Sequence, residues 1–302
     1  MPALWPLAFL LAAADGSTAG PDGSAAPARD GSVTAAPDGG GPPARPAARF
    51  AIRAVTTSEP VVALTFDACA TLKQANGFDR KVFEVLAAEQ IPATLYLSGR
   101  WVEKHPISSK ALAAAPFLEL GNHTYSHPRL TLLRKQRLRW QIRSTSKILE
   151  KCLGRKPLSL RPPAGAWNAD VVRAASQEGL PVVTWSVVSG DVGGRLPPRR
   201  MVERVLEQTK PGSIVIFHIN RREPSTKRAL PGVIAGLRER GFRFVTVSQL
   251  LALRDATPEP ARPSRFGYHA RRRPPQPAPS AEGQAQPISR PAQGEPHADS
   301  SP

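Results

Sequence analysis

Between residues 55 and 253, short apolar runs alternate with amphipathic stretches, and this alternation limits the fold more than any other feature of the chain. VVALTFDA (61–68), ATLYLSG (93–99), FLELGNHT (117–124), LSLRPPAG (158–165), PVVTWSVVSGD (181–191) and GSIVIFH (212–218) read as strands. GFDRKVFEVLAAEQI (77–91) has helical spacing at Phe78, Val82, Val85 and Leu86, and ISSKALAAAP (107–116) reads as a short helix. The run 131–154 is a long helix ended by Gly154, and 168–179 is a helix capped by Asn168. Helix 197–210 is opened by Pro, and 227–241 is helical with Pro231 marking its start; FRFVTVSQLL (242–251) closes the series. Strand then helix repeats about seven times over roughly 200 residues. Strands that are apolar throughout, separated by amphipathic helices, imply a parallel sheet covered by helices. A β/α barrel and a doubly wound sheet both fit. No Gly-rich dinucleotide turn follows the first strand, which removes the main support for a Rossmann reading.

The ends of the chain have a different composition. Most of its 33 prolines crowd there, so the 302 residues divide into one domain of about 200 residues and two tails. Residues 3–13 are a short apolar run ending in small residues, resembling the core and cleavage zone of a signal peptide, although no Lys or Arg precedes it. It is too short for a membrane span. The expected organisation is a signal peptide at 1–15, a disordered Gly/Pro/Ala linker at 16–50, a folded domain at 51–255 and a disordered Pro/Arg-rich tail at 256–302. Export to the periplasm or cell surface follows.

The net charge of +17 points to an anionic partner or simply to a soluble surface. Helix-turn-helix, zinc-finger and basic–aromatic signals are lacking, so nucleic acid is disfavoured. The basic run RKQRLRWQIR (134–143) suits an acidic wall polymer or a solvated face. Cys69 and Cys152 form no CxxC pair, and spacing leaves a disulfide between them open.

The unusual polar residues fall at one end of the expected strands. Asp67, His123, Arg161, Asp191 and His218 lie at or just after strand ends, and His127 follows His123 in its loop. Taken singly, an Asp there also caps turns, and a lone His is more often structural. In a parallel β/α architecture, however, all the C-terminal strand ends share one face, where such folds keep their sites. The chemistry that fits is metal-assisted hydrolysis. Two neutral imidazoles suit a divalent ion, zinc above others; a carboxylate takes a proton from water, and a third imidazole delivers one to a leaving amine.

At these residues the chain resembles the polysaccharide deacetylase family, the NodB-homology carbohydrate esterases. LTFDA (64–68), HTYSH (123–127), RPPAGAW (161–167), WSVVSGD (185–191) and IFH (216–218) resemble its five motifs in order. The resemblance implies a distorted (β/α)7 barrel that removes N-acetyl groups from a glycan: peptidoglycan, chitooligosaccharide or poly-N-acetylglucosamine. By that resemblance His123 and His127 bind the metal, and Asp67 is the general base. His218 is the general acid, Asp191 tunes it, and Arg161 pairs with the base. The backbone N–H of Ala164 helps hold the oxyanion. Trp167 and Trp185 either wall the substrate pocket or belong to the core. One departure stands out. The family's second Asp, the third metal ligand, is Ala68 here. Asp67 turning to the metal, a water, or an acidic residue from elsewhere would have to fill its place. FDAC together with HIN (218–220) looks like a distinct branch of the family. Two other functions stay open: a wall-polymer binding protein that has lost its chemistry, and a hydrolase of small amides or imides. His105, His269 and His297 are read as structural or solvated. The NHT sequon at 122–124 is discounted because a glycan there would block the site.

Overall fold

The structure, a computed structural model, describes residues 50–70, 77–192, 196–220 and 225–253. The expected signal peptide, most of the linker and the Pro/Arg-rich tail, with His269 and His297, lie outside the described residues. Strand β1 (Val61–Ala68) is buried along its whole length. It pairs in parallel with β2 (Ala93–Leu97) on one side and β5 (Ser213–His218) on the other. β2 pairs with β3 (Leu118–Asn122), β5 with β4 (Val187–Val188), and β6 (Arg243–Phe244) with the start of β1. The order is β3-β2-β1-β5-β4, all parallel. Past β3, Leu160 bridges both Asn122 and Val182, and Val182 lies on the segment that carries β4. The sheet therefore returns on itself as a distorted β/α barrel.

The distortion has a local cause. The strands expected at 158–165 and 181–191 shrink to single bridges and a two-residue ladder. Pro157, Pro162, Pro163 and Pro181 supply no N–H to a ladder there. The closing segment 242–251 likewise splits into β6 and a helix, α8 (Val247–Ala252), whose Thr246 and Gln249 form a capping box.

Period-two alternation divides β1 between two cores. Val62, Leu64, Phe66 and Ala68 pack outward with helical residues such as Val82, Leu86, Met201 and Val233. Val61 and Ala63 face inward with Tyr96, Val183 and Ile214. Burying one such Leu or Val contributes about 2 kcal/mol. The same alternation makes Thr65 and Asp67 the next inward positions at the strand's C-terminal end.

The helices are α1 (Arg80–Ala88), α2 (Gly99–Lys104), α3 (Pro106–Ala114), α4 (Lys135–Leu153), α5 (Ala169–Ser176), α6 (Pro198–Gln208), α7 (Ser225–Glu239) and α8. Asp79, Ser98 and Asn168 cap α1, α2 and α5 through their side chains. Ser98 ends β2 early and starts α2, which the sequence pattern did not separate from the strand. Gly154 closes α4 in the left-handed conformation, φ 65°. Pro231 does not mark the start of α7; it lies inside a helix that begins at Ser225, where it forfeits one backbone hydrogen bond. Gly212 turns into β5 at φ 77°, and a Cβ there would lie 1.8 Å from the Val55 carbonyl. Among the described residues no helix is long and apolar enough to cross a membrane.

Candidate active site

Asp67 is the centre of the polar cluster at the strand ends. It is 3% exposed, and register sets it beside His218 on β5. Arg161, 0% exposed, donates from Nη1 to Asp67 Oδ1 at 2.9 Å and to Thr65 Oγ1 at 2.8 Å. Its Nη2 donates to the Thr184 carbonyl. The guanidinium lies 4.0 Å above the Tyr96 ring, a cation–π contact in a dry site. Tyr96 in turn fits because residue 121 is glycine: a Cβ there would lie 2.5 Å from the ring. Burial would raise the Asp67 carboxyl. The Arg161 guanidinium, by its charge and its hydrogen bond, leads the opposing effects, and the group stays below its ordinary value. Asp67 is thus a buried carboxylate kept ionised.

His123 follows β3. Its Nδ1 lies 2.8 Å from the Arg161 carbonyl. A carbonyl only accepts, so Nδ1 carries the proton and Nε2 keeps its lone pair. That Nε2 is buried, has no hydrogen-bond partner among the described residues, and lies 3.5 Å from Asp67 Oδ2. Two acceptors face each other across 3.5 Å, an arrangement that a cation satisfies. The His127 ring stands edge-on to His123, centroids 4.9 Å apart. Burial and the neighbouring His123 push His127 down to about 3. Burial also lowers His123, more than the Asp67 carboxylate lifts it. Both rings are therefore neutral at physiological pH and able to donate lone pairs.

The loop that carries them is strained. Thr124 and His127 sit at φ 64° and 57°, a region that costs about 1 kcal/mol or more for residues other than glycine. Asn122 and Gln141 hold it. Asn122 Oδ1 accepts from the Thr124 N–H, while its Nδ2 donates to the Ile142 carbonyl and Ser146 Oγ of α4. Gln141 Oε1 accepts from the N–H groups of Tyr125 and Ser126, and its Nε2 donates to Ser126 Oγ. With Asn122 fully buried and its amide engaged, the NHT sequon cannot carry a glycan.

Opposite this loop, His218 Nδ1 lies 3.1 Å from Asp191 Oδ1, and Asp191 Oδ2 accepts from the His218 N–H and from Thr226 Oγ1. Nδ1 is thus the donor to Asp191. Ala164 is the exposed residue of a 3-10 turn (Pro163–Gly165), at φ 55°. Trp185 packs against Gly165, its ring 5.6 Å from the Arg161 guanidinium; Trp167 packs against the cluster of Leu130, Leu160 and Val171. Both tryptophans lean on core clusters, and Trp185 is also near the Arg161 guanidinium. His105 stacks on Trp101, 4.7 Å away, apart from the cluster.

No disulfide joins the two cysteines: Cys69 is buried and Cys152 exposed. Cys69 Sγ and one ring nitrogen from each of His123 and His127 all lie within 4.8 Å of one another. Cys69, Asn122 and Gln141 were not singled out from the sequence as members of this site. The only local signal was that Cys69 adjoins the motif position where the carboxylate is lacking.

The sequence profile of the family described as "Polysaccharide deacetylase" matches residues 54–183. A peptidoglycan-N-acetylglucosamine deacetylase of Bacillus cereus is 32% identical over 191 residues, 63% of this chain and 67% of that protein. The chain belongs to the polysaccharide deacetylase family. A chitooligosaccharide deacetylase of Rhizobium leguminosarum bv. trifolii is 31% identical over 181 residues, covering 56% of this chain and 83% of that one. Among solved structures, a Bacillus anthracis protein described as a pseudoenzyme of carbohydrate esterase family 4 superposes with a TM-score of 0.61 at 27% identity. That match covers 68% of this chain and 69% of that one. Membership of the deacetylase family therefore does not by itself guarantee chemistry, and the site's own residues have to carry the functional reading.

Proposed function

We propose that this polysaccharide deacetylase hydrolyses the N-acetyl amide of a glycan, with His123 and His127 holding a divalent cation, zinc above others. The observation that carries the reading is the unpartnered, buried His123 Nε2 facing the ionised Asp67 carboxylate. Two neutral imidazoles, one of them with an orphaned buried acceptor nitrogen, fit such an ion. When bound, it supplies a Lewis acid that polarises the acetyl carbonyl and acidifies water.

The chain's own residues do the rest. Asp67, kept ionised by Arg161, takes a proton from the attacking water as its oxygen bonds to the acetyl carbon. The N–H of Ala164 stabilises the oxyanion. His218 delivers a proton from Nε2 to the amide nitrogen as the C–N bond breaks, leaving acetate and a free amine. Asp191 fixes the tautomer and orientation of that ring and offsets the charge it carries. Trp185 walls the acetyl side. The exposed Trp140 of α4 is stacked by Arg137 and touches Tyr125 of the histidine loop. This aromatic and basic surface suits a sugar chain that bears negative charge, such as peptidoglycan. Export to the periplasm or cell surface, where such polymers lie, agrees with the apolar run at 3–13 and with the cell-wall substrates named for relatives.

Acetate release from peptidoglycan and from chitooligosaccharide tests the proposal. Asp67→Asn and His218→Ala should each lower the rate of the folded protein by about 10²–10⁴-fold, with folding checked by circular dichroism. Unchanged release in either would overturn the assigned role. A second reading, binding without chemistry, is favoured by Ala68 at the family's second Asp position and by the pseudoenzyme relative. It predicts no acetate from the wild type, with glycan binding that Asp67→Asn leaves unaltered.

A further inference from the structure

Ala68 cannot ligate a cation, and its methyl packs into the outer apolar cluster. We propose that the third ligand of the site is the Cys69 thiolate, giving a Cys-His-His cation site; this rests on the histidine pair being the metal site, as above. Three observations carry it. First, Cys69 Sγ and one ring nitrogen from each of His123 and His127 lie within 4.8 Å of one another. Second, His123 of the same group has a buried Nε2 with no hydrogen-bond partner among the described residues. Third, Cys69 does not sit on a loose loop. Asn220 Nδ2 donates to its carbonyl at 2.7 Å. The N–H of the next residue, Ala70, donates to Ser98 Oγ, and the Ser98 N–H donates to the carbonyl of Ala68. The peptides on both sides of Cys69 are thus anchored, one to the start of α2 and one to the residue two beyond His218. The FDAC and HIN sequences are in contact, and that contact fixes the backbone that carries the sulfur.

The chemistry of the set follows. Sulfur and nitrogen ligands on one zinc ion stand roughly 3.5 Å apart, so closing the group asks for side-chain shifts of about an ångström. A thiolate with two imidazoles is softer than a carboxylate with two imidazoles. It favours zinc and cobalt over magnesium, calcium and manganese. With the sulfur as third ligand, Asp67 need not complete the set and can serve as base beside the ion. The thiol proton leaves on binding, so uptake releases one proton per ion.

Cobalt substitution of the reduced, full-length protein tests this without relying on activity. The wild type and Cys152→Ser should bind one equivalent of Co²⁺ and show a near-ultraviolet thiolate-to-cobalt charge-transfer band. Cys69→Ser should lose the band and weaken Zn²⁺ binding at least tenfold in chelator competition. If Co²⁺ binds stoichiometrically, His123→Ala abolishes binding, and no thiolate band appears in the wild type, the Cys69 assignment fails while the histidine pair stands. A band that survives Cys69→Ser and vanishes in Cys152→Ser overturns it equally. If the wild type binds no ion, the proposal and the reading beneath it fall together. The band in the wild type and in Cys152→Ser decides the matter even if Cys69→Ser does not fold.

Discussion

Arg161 links the chemistry of the site to its stability. One guanidinium donates to Asp67, Thr65 and the Thr184 carbonyl and lies on the Tyr96 ring, all away from water. Removing it strands a buried carboxylate, which costs about 3–5 kcal/mol. We expect Arg161→Met to lose stability on that scale in urea denaturation and to lose acetate release as Asp67 takes up a proton. Arg161→Lys should rescue neither, since a single ammonium cannot reproduce a planar fork with several fixed donors. Wild-type stability in Arg161→Met would show that the pair is not the buried unit its geometry describes. Sequence reading could associate Arg161 with the base only by family resemblance. The stacking on Tyr96, which depends on the missing side chain of Gly121, lay beyond it because no local pattern records which ring a distant glycine admits.

At the scale of elements, α4 acts as a clamp. Its outer face is basic and solvated, as the run at 134–143 suggests, but its inner face carries Gln141, which engages two backbone N–H groups of the strained histidine loop. A buried Gln in a helix reads from sequence as an unremarkable polar residue. Its role appears only when α4 packs beside the end of β3. Gln141→Leu leaves both N–H groups unsatisfied. The expected loss is about 1–3 kcal/mol of stability and at least a tenfold loss of zinc affinity, read by calorimetry and chelator competition. Full metal affinity in that variant would refute the clamp. The helix pattern itself was largely legible, since amphipathic spacing is local. Exceptions arise where short-range signals conflict: Ser98 cuts a strand short to cap α2, and Pro231 is tolerated inside α7.

For the molecule as a whole, the buried imidazoles set an acid limit. His127 is pushed down to about 3, whereas an imidazole in the unfolded chain protonates near 6.5. Below pH 6.5 the unfolded state binds the extra proton, so stability is complete above that value and drains away as pH falls toward 3. We expect metal-free protein to lose about 2 kcal/mol between pH 7 and 4.5, with a smaller loss in His127→Gln; an unchanged Tm across that window would contradict the neutral state of the half-buried ring. The sequence by itself determined the parallel strand–helix order and the placing of Asp67, His123, Arg161, Asp191 and His218 at strand ends, because periodicity and motif spacing are properties of contiguous residues. Only the tertiary structure decided that the ring closes through single bridges at Leu160 and Val182, that α4 braces the histidine loop, and that Cys69 stands beside the two imidazoles where Ala68 cannot serve. Those outcomes depend on how segments far apart in the chain pack, and packing is a property of the closed barrel.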